Sequence, residues 1–364
     1  MNKFNNFLRK KAVVSTLGSL ISIAIGLLVG LILMFVFNPQ NALSGFAIML
    51  KGGLADGLRG VGNVLYYMAP YLMLGLSVAF SFQTGVFNIG VTGQYMVGSC
   101  VGVLIGGLFG WPWYVILLIC GLCGMLWAFI PGVLKAKLNV NEIITCIMMN
   151  YIAMYLCNQL VKKLYYDKSL VGTGYSQASA LMPKAGLNEI FQGSSASLSI
   201  VVAICMAILV YVILYKTTFG FELRSCGFNP FASQYVGINQ TRNVILMMLI
   251  AGFIAGMGGG MHMLSSSTKY YKYSEAFIAE TNYAIPVSLL ASNNPIAVIF
   301  SALFVAWLTV GGSIMQGKGF PVETVNMITG IILYVSAFAF LLRGKIAQAL
   351  LSKSEKQNKD GGER

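Results

Sequence analysis

Long apolar runs, separated by short polar segments, make up almost the whole chain. A helix needs about 20 apolar residues to cross the hydrocarbon core of a bilayer, and most of the runs approach or exceed that length. The pattern predicts an all-α fold, a polytopic transmembrane helical bundle of about ten spans with cytoplasmic N and C termini. The predicted spans are 14–37, 64–82, 82–110, 114–134, 143–161, 198–215, 244–264, 281–290, 296–310 and 322–342.

The polar segments between the runs differ in length and character. Residues 38–63 read as an outer loop with a small apolar patch, and 162–197 form the longest loop, rich in Gly, Ser, Tyr and Lys. The run 281–290 is the weakest span because it is short and because Ser292–Pro295 breaks it. Residues 277–310 therefore form either two full spans or a re-entrant element.

Glycines recur at four-residue spacing in two of the predicted spans, so they lie on one face of each helix. A glycine in a helix interior costs roughly 1 kcal/mol relative to alanine. Inside a bilayer, however, small residues allow helices to approach closely. The glycines predicted to pack helices in this way are Gly98, Gly102, Gly106, Gly252 and Gly256.

The composition favours a membrane protein over a soluble one. Of the 364 residues, 57% are hydrophobic and only 10% are charged, against about 25% charged in soluble domains. Ten of the 24 Lys and Arg lie in two tails, 1–13 and 343–364. Such tails are typical of cytoplasmic segments beside anionic lipid, so the net charge of +13 does not indicate nucleic-acid binding. The second tail is also expected to be disordered, and 14–342 forms the transmembrane domain.

No group of residues has the pattern of a catalytic site. His262 is the only histidine, which argues against a histidine metal site. The predicted spans carry no acidic residue or lysine near their middle, which argues against proton-coupled transport. The sequence does not exclude a sodium site built from backbone carbonyls at the glycine breaks.

Several uncharged polar side chains lie at predicted membrane depth. Polar groups are costly there and usually face a cavity or a partner helix. As a set they favour a path for a polar, uncharged solute, and hydrogen bonding between helices is the alternative for each member. The candidate path residues are Asn88, Thr92, Gln94, Asn141, Asn150 and Tyr151.

The polar connector 216–243 has the pattern of a structured loop. It combines a short helical pattern with several aromatic residues and with a Gly and a Pro that stop helices. We expect it to lie on the cytoplasmic side as a coupling segment, and an interfacial helix lying on lipid is the alternative.

Four motifs occur in the order found in a known family. They are Phe87–Gln94, Asn141–Thr145 with Met149–Tyr151, Leu223–Pro230 and Leu290–Pro295. From about residue 60 to 342 the chain resembles the permease subunits of ABC importers for nucleosides and simple sugars, in the wider ribose and branched-chain amino-acid permease superfamily. It departs from the family pattern at Thr92, where glutamate is common, and at Ala291 and Ser292, where a glycine and a basic residue are common.

The resemblance implies a multi-pass permease subunit of the bacterial cell membrane that translocates nucleosides by alternating access. It implies that the chain is not an enzyme and binds no cofactor, and that a separate cytoplasmic ABC ATPase uses ATP and Mg²⁺. The other implied partners are a second, related permease in a heterodimer and an extracytoplasmic substrate-binding lipoprotein. By the same resemblance, the ATPase docks on Arg224, Gly227, Phe228, Asn229 and Pro230. A simple sugar as the solute, an ion-coupled secondary transporter, and an intramembrane enzyme or scaffold are the alternatives.

Overall fold

The computed structural model describes residues 11–341 except 192 and 267–268. In that part the chain is mostly helical, with only one short hairpin, which confirms the predicted all-α class. The α-helices are α1 (Lys11–Phe37), α2 (Ala42–Lys51), α3 (Gly57–Gln83), α4 (Val91–Leu108), α5 (Trp113–Leu138), α6 (Glu142–Leu164), α7 (Leu187–Ile190), α8 (Ser199–Lys216), α9 (Thr218–Phe228), α10 (Pro230–Tyr235), α11 (Gln240–Leu264), α12 (Ala284–Leu290), α13 (Pro295–Met315) and α14 (Val322–Leu341). A two-stranded antiparallel hairpin joins β1 (Tyr166–Asp167) and β2 (Gly172–Thr173).

Many of these helices have the length and apolarity of membrane spans. Seven helical stretches qualify: Ala42–Gln83, Val91–Leu108, Trp113–Leu138, Glu142–Leu164, Ser199–Lys216, Gln240–Leu264 and Pro295–Lys318. Ile23–Phe37 and Val322–Ala337 are shorter apolar helices. The transmembrane bundle is thereby confirmed, while the number of ten spans and the side of the termini stay predictions. The tails at 1–13 and 343–364 lie outside the described residues, except for 11–13 at the start of α1.

Two predicted boundaries differ from the structure. Residues 38–63 are largely helical, since α2 and a 3₁₀ segment at Gly52–Asp56 lead directly into α3. The apolar patch there is part of α2, which buries Ala42, Gly45 and Met49 on one face. The predicted span 281–290 begins as a 3₁₀ turn at Ala279–Tyr283, and α12 has only seven residues, too few to cross a bilayer alone.

The chain divides into two compact units. The first comprises residues 1–51 and 311–364, and in it α1 packs along α14 with Gly26 against Ile332 and Ser336. The second comprises residues 52–310 and contains α3 to α12 and most of α13. The predicted path residues and the connector all belong to the second unit.

Helix α11 is the centre of the second unit and packs against α3, α4 and α5. Its contacts with α4 and α5 are contacts between backbones. A Cβ atom at Gly98 would overlap the backbone of Gly256, and one at Gly256 would overlap the Cys120 carbonyl on α5. Polar contact adds to this packing at α3, where Ser77 Oγ donates a hydrogen bond to the Ala251 carbonyl at 2.8 Å.

The opposite face of α5 is apolar and exposed. Leu118, Leu122 and Leu126 are 55%, 41% and 67% exposed and lie four residues apart, hence on one side of the helix. A row of exposed leucines on a long apolar helix is expected where the helix faces lipid. Helix α5 therefore has a face packed on α11, where Gly124 lies against Gly252 and Gly256, and a lipid-facing leucine face.

The second unit has two ends, which we name by the segments found there. At the connector end, Gly227 in the last turn of α9 lies against Gly85, so the connector touches the break between α3 and α4. At the loop end, the segment after α11 meets the segment after α6, where Thr173 N donates to the Tyr271 carbonyl at 3.0 Å. Helix α11 runs from the connector end to the loop end.

We predict that Gly98→Leu destabilises the protein strongly, because the side chain would occupy the volume of the Gly256 backbone. Overpacking costs roughly 1–3 kcal/mol even where side chains can adjust, and backbone can adjust less. The apparent melting temperature in detergent, measured by size-exclusion chromatography after heating, is expected to fall by several degrees. Gly330→Leu on α14 is the matched control, because nothing lies within 4 Å of a Cβ there. Equal melting temperatures for the two variants would contradict the prediction.

Candidate functional site

Three of the predicted path residues form one hydrogen-bonded group, which we call the amide cluster: Asn88, Gln94 and Asn150. The side chains of Asn88 and Gln94 bond each other reciprocally, at 3.1 and 3.2 Å. Asn150 Oδ1 accepts from the Gly93 N–H at 2.8 Å, and Asn150 Nδ2 donates to the Ile89 carbonyl at 3.1 Å. The cluster therefore ties α6 to the start of α4.

All three amides of the cluster are buried, and the contacts above bond them to one another and to nearby backbone. This geometry favours hydrogen bonding between helices, which the sequence left open as the alternative to a path role. The path role of these residues stays a prediction.

The other predicted path residues lie apart from the amide cluster. Asn141 caps α6, where its Oδ1 accepts from the Ile143 N–H at 2.9 Å. Thr92 is half-buried on α4. Tyr151 is 46% exposed on α6, and its ring centroid lies 5.1 Å from that of Phe277. As an exposed aromatic residue, Tyr151 offers an apolar contact for a solute or for another helix.

The connector folds into two short helices that meet at one residue. Thr217 Oγ1 accepts from the Gly220 N–H at 3.0 Å and caps the start of α9. The Asn229 N–H donates to the Ser225 carbonyl at 3.1 Å at the end of α9, and Asn229 Oδ1 accepts from the Ala232 N–H, also at 3.1 Å, at the start of α10. The predicted short helix is present, followed by a second one.

The connector presents unusually exposed aromatic side chains. Phe228, Phe231 and Tyr235 are 85%, 78% and 94% exposed. Arg224, predicted to dock on a partner, is instead half-buried, with its guanidinium carbon 4.7 Å from the centroid of the Tyr215 ring. The structure therefore places the aromatic residues at the surface and gives Arg224 a contact within the chain.

A cavity of about 380 Å³ lies beside α10 at the connector end. Phe231 of α10, Lys135 and Asn139 of the α5 end, and Thr241 of α11 line it. Lys135 Nζ also lies 2.9 Å from Glu142 Oε2, so an ion pair joins the end of α5 to the start of α6.

A second polar group, which the sequence did not predict, lies at the loop end of α11. We call it the ionic cluster, and it consists of His262, Lys269 and Glu280. His262 is only 2% exposed, and its Nε2 lies 2.8 Å from Lys269 Nζ and 3.4 Å from Glu280 Oε1. Glu280 belongs to the 3₁₀ turn outside the span helices. Burial would raise the pKa of its carboxyl, but the facing His262 and Lys269 outweigh burial and hold that pKa below its usual value.

Two signals in the sequence could have indicated the ionic cluster. The only histidine of the chain stands in the last turn of an apolar helix, and a glutamate directly precedes the broken segment 281–295. Their separation of 18 positions, with a polar segment between them, concealed the contact. Among the described residues, no three His, Cys, Asp or Glu side chains lie together as metal ligands would.

Comparison with known proteins gives matches over most of the chain. Residues 60–337 match the family described as branched-chain amino acid transport system / permease component. The guanosine ABC transporter permease protein NupP of Bacillus subtilis is 36% identical over 329 residues, which cover 89% of this chain and 93% of NupP. The nucleoside ABC transporter permease protein NupB of Lactococcus lactis is 30% identical and covers 95% and 97%. The glucose ABC transporter permease protein TsgB13 of Haloferax volcanii is 30% identical and covers 80% and 79%.

We predict that Asn150→Leu lowers the stability of the protein, because it leaves the buried Gly93 N–H without its acceptor. An unsatisfied buried group costs about 1–3 kcal/mol, so the apparent melting temperature should fall by several degrees. Gln159→Leu, at an exposed position of the same helix, is the control and should leave it unchanged. Unchanged stability of Asn150→Leu with loss of solute uptake would instead favour the path role over the structural one.

Proposed function

The chain belongs to the family described as the permease component of branched-chain amino acid transport systems, and from that membership we propose that it is the membrane-spanning permease subunit of an ABC importer for nucleosides. The observation that carries the proposal is the 36% identity to a guanosine ABC transporter permease over nine-tenths of both chains. The apolar helices agree with a multi-pass protein of the bacterial plasma membrane.

Nucleosides are the preferred solute because two relatives that match nearly end to end are described as guanosine and nucleoside permeases. A simple sugar is the second candidate, since a relative described as a glucose permease also matches four-fifths of the chain. Both solutes are polar and uncharged.

The permease supplies the path and a separate cytoplasmic ABC ATPase supplies the energy. The docking surface for the ATPase is the exposed aromatic group on and beside α10, namely Phe228, Phe231 and Tyr235. Exposed aromatic clusters are typical of binding surfaces. A movement of the connector would act directly on the break between α3 and α4, because Gly227 lies against Gly85.

The path itself is shared with a second, related permease in a heterodimer, and an extracytoplasmic lipoprotein delivers the solute. Helix α6 supports this role, because one side of it is exposed and carries Ile144, Met148, Tyr151 and Tyr155. Alternating access then consists of opening the two permeases first to one side of the membrane and then to the other.

We expect the complex of this chain with its ATPase, second permease and lipoprotein, reconstituted in liposomes, to take up labelled guanosine only when ATP is hydrolysed. Uptake is measured with ATP, with a non-hydrolysable ATP analogue, and with the analogue plus a sodium gradient, across a panel of nucleosides, ribose and glucose. Accumulation driven by sodium with the analogue would show a secondary transporter. Uptake of the sugars without uptake of nucleosides would favour the second candidate.

We predict that Phe231→Asp weakens the complex with the ATPase at least tenfold, because it puts a charge into the centre of the exposed aromatic group. Co-purification and nucleoside-stimulated ATPase activity measure the loss. Phe109→Asp is the matched control, since Phe109 is also exposed, at 64%, but follows α4 at the loop end. Loss of ATPase binding in the Phe109 variant alone would place the docking surface at the loop end and would refute its assignment to the aromatic group at α10.

A further inference from the structure

The ionic cluster has features that packing alone does not explain. Its three side chains come from the last turn of α11, the segment that follows it, and the 3₁₀ turn before α12. Glu280 has a side chain that is 17% exposed, so it is neither sealed in the protein nor fully in water. Moving an ion pair out of water often gains no stability over a well-packed apolar group, which favours a use in recognition.

Five tyrosines lie at the ionic cluster or in line with it. The Tyr66 ring is 5.7 Å from Lys269 Nζ and the Tyr95 ring is 6.1 Å from that of His262, and Tyr67, Tyr71 and Tyr283 continue from Tyr66. Four of them form a continuous aromatic row. In it, Tyr66 meets Tyr67 edge to face at 5.1 Å, Tyr67 stacks on Tyr71 at 6.2 Å, and Tyr71 meets Tyr283 at 4.9 Å.

The group also contains buried polar atoms that lack a hydrogen-bond partner in the described part of the chain. They are His262 Nδ1 and Tyr95 Oη, and the two rings lie 6.1 Å apart. Both side chains are nearly inaccessible, with 2% and 0% exposure. An unsatisfied buried polar atom costs about 1–3 kcal/mol, a cost that a bound ligand with hydroxyl groups would remove.

We propose that this group is the recognition site for the ribose of the nucleoside, in which the Glu280 carboxylate accepts hydrogen bonds from the vicinal 2′- and 3′-hydroxyls. An ionised carboxylate only accepts hydrogen bonds, and its two oxygens match a pair of neighbouring hydroxyl donors. A conserved acidic residue binds the ribose hydroxyl in the same way in dinucleotide-binding folds. The inference rests on the proposed function and names the site for its solute.

The neighbouring residues have separate roles in this site. His262 Nε2 accepts from the Lys269 ammonium at 2.8 Å and so positions its charge, which favours the ionised form of the Glu280 carboxylate. The same ammonium lies 5.7 Å from the centroid of the Tyr66 ring. Tyr67 and Tyr283, the half-buried members of the row, supply apolar ring surface for the sugar and the base, since aromatic rings stack on nucleobases with little dependence on the base. The site accordingly selects for the sugar more than for the base.

The test combines a substitution at Glu280 with a solute that lacks the 2′- and 3′-hydroxyls. ATP-driven uptake of guanosine and of 2′,3′-dideoxyguanosine is measured for the reconstituted complex, and the ratio of the two kcat/KM values is taken for each variant. The same lipoprotein serves every variant, so its own selectivity cancels when the ratios are compared. We expect Glu280→Gln to lower the guanosine preference at least tenfold, mainly through the KM of guanosine. Glu275→Gln, at an exposed position of the same segment, is the control and should keep the wild-type ratio.

Equal losses for the two solutes in Glu280→Gln would overturn the proposal, because they would show a structural ion pair. A wild-type ratio in that variant would overturn it as well. Should Glu280→Gln fail to assemble, Glu280→Asp retains the charge but withdraws the acceptor by one methylene, and the guanosine preference should then fall at least threefold. Wild-type complex that transports nucleosides without discriminating between the two solutes would refute the ribose site and leave the proposed function standing, whereas absence of nucleoside uptake would refute both.

Discussion

The close approach of α11 to α4 and α5 is the constraint on which the second unit depends. The backbones of Gly98 and Gly256 are in direct contact, so these helices cannot move closer together and the contact has no room for a side chain. In a bilayer, moving the apolar surface of a helix from lipid to protein gains little free energy. Close packing between helices therefore provides the stabilisation that hydrophobic burial provides in water. The same packing brings the end of α11 beside Tyr95 of α4, as the short distance between the Tyr95 and His262 rings shows.

Two groups of polar side chains lie along this helical core, and they differ in charge and in hydrogen bonding. Near the start of α4, neutral amides bond one another and the backbone, so that a break in the helix is stabilised without charge. At the loop end of α11, charged groups and tyrosine hydroxyls lie together with unsatisfied atoms among them. In the first arrangement the three side-chain amides have hydrogen-bond partners, whereas in the second Tyr95 Oη and His262 Nδ1 have none among the described residues.

The apolar runs predicted most helices of the bundle, because crossing a bilayer is a requirement on local sequence alone. The members of the amide cluster could also be predicted, since Asn88, Gln94 and Asn150 are polar residues within apolar stretches of the sequence. Helix α2 was missed because a ten-residue helix with exposed Leu43 and Leu50 has no more apolar content than a loop at the membrane surface. The contacts of Arg224 and of the ionic cluster were not predicted, because each depends on where the chain folds back on itself.

Asn229 ends one helix of the connector with its backbone N–H and begins the next with its side chain. Only Asn229 therefore separates α9 from α10, and the angle between them depends on the conformation of this one amino acid. Inserting or deleting a residue at this position would change that angle and would aim Phe231 and Tyr235 in another direction. Among related permeases, the length of the junction between α9 and α10 should consequently vary far less than the length of the loop between α6 and α8.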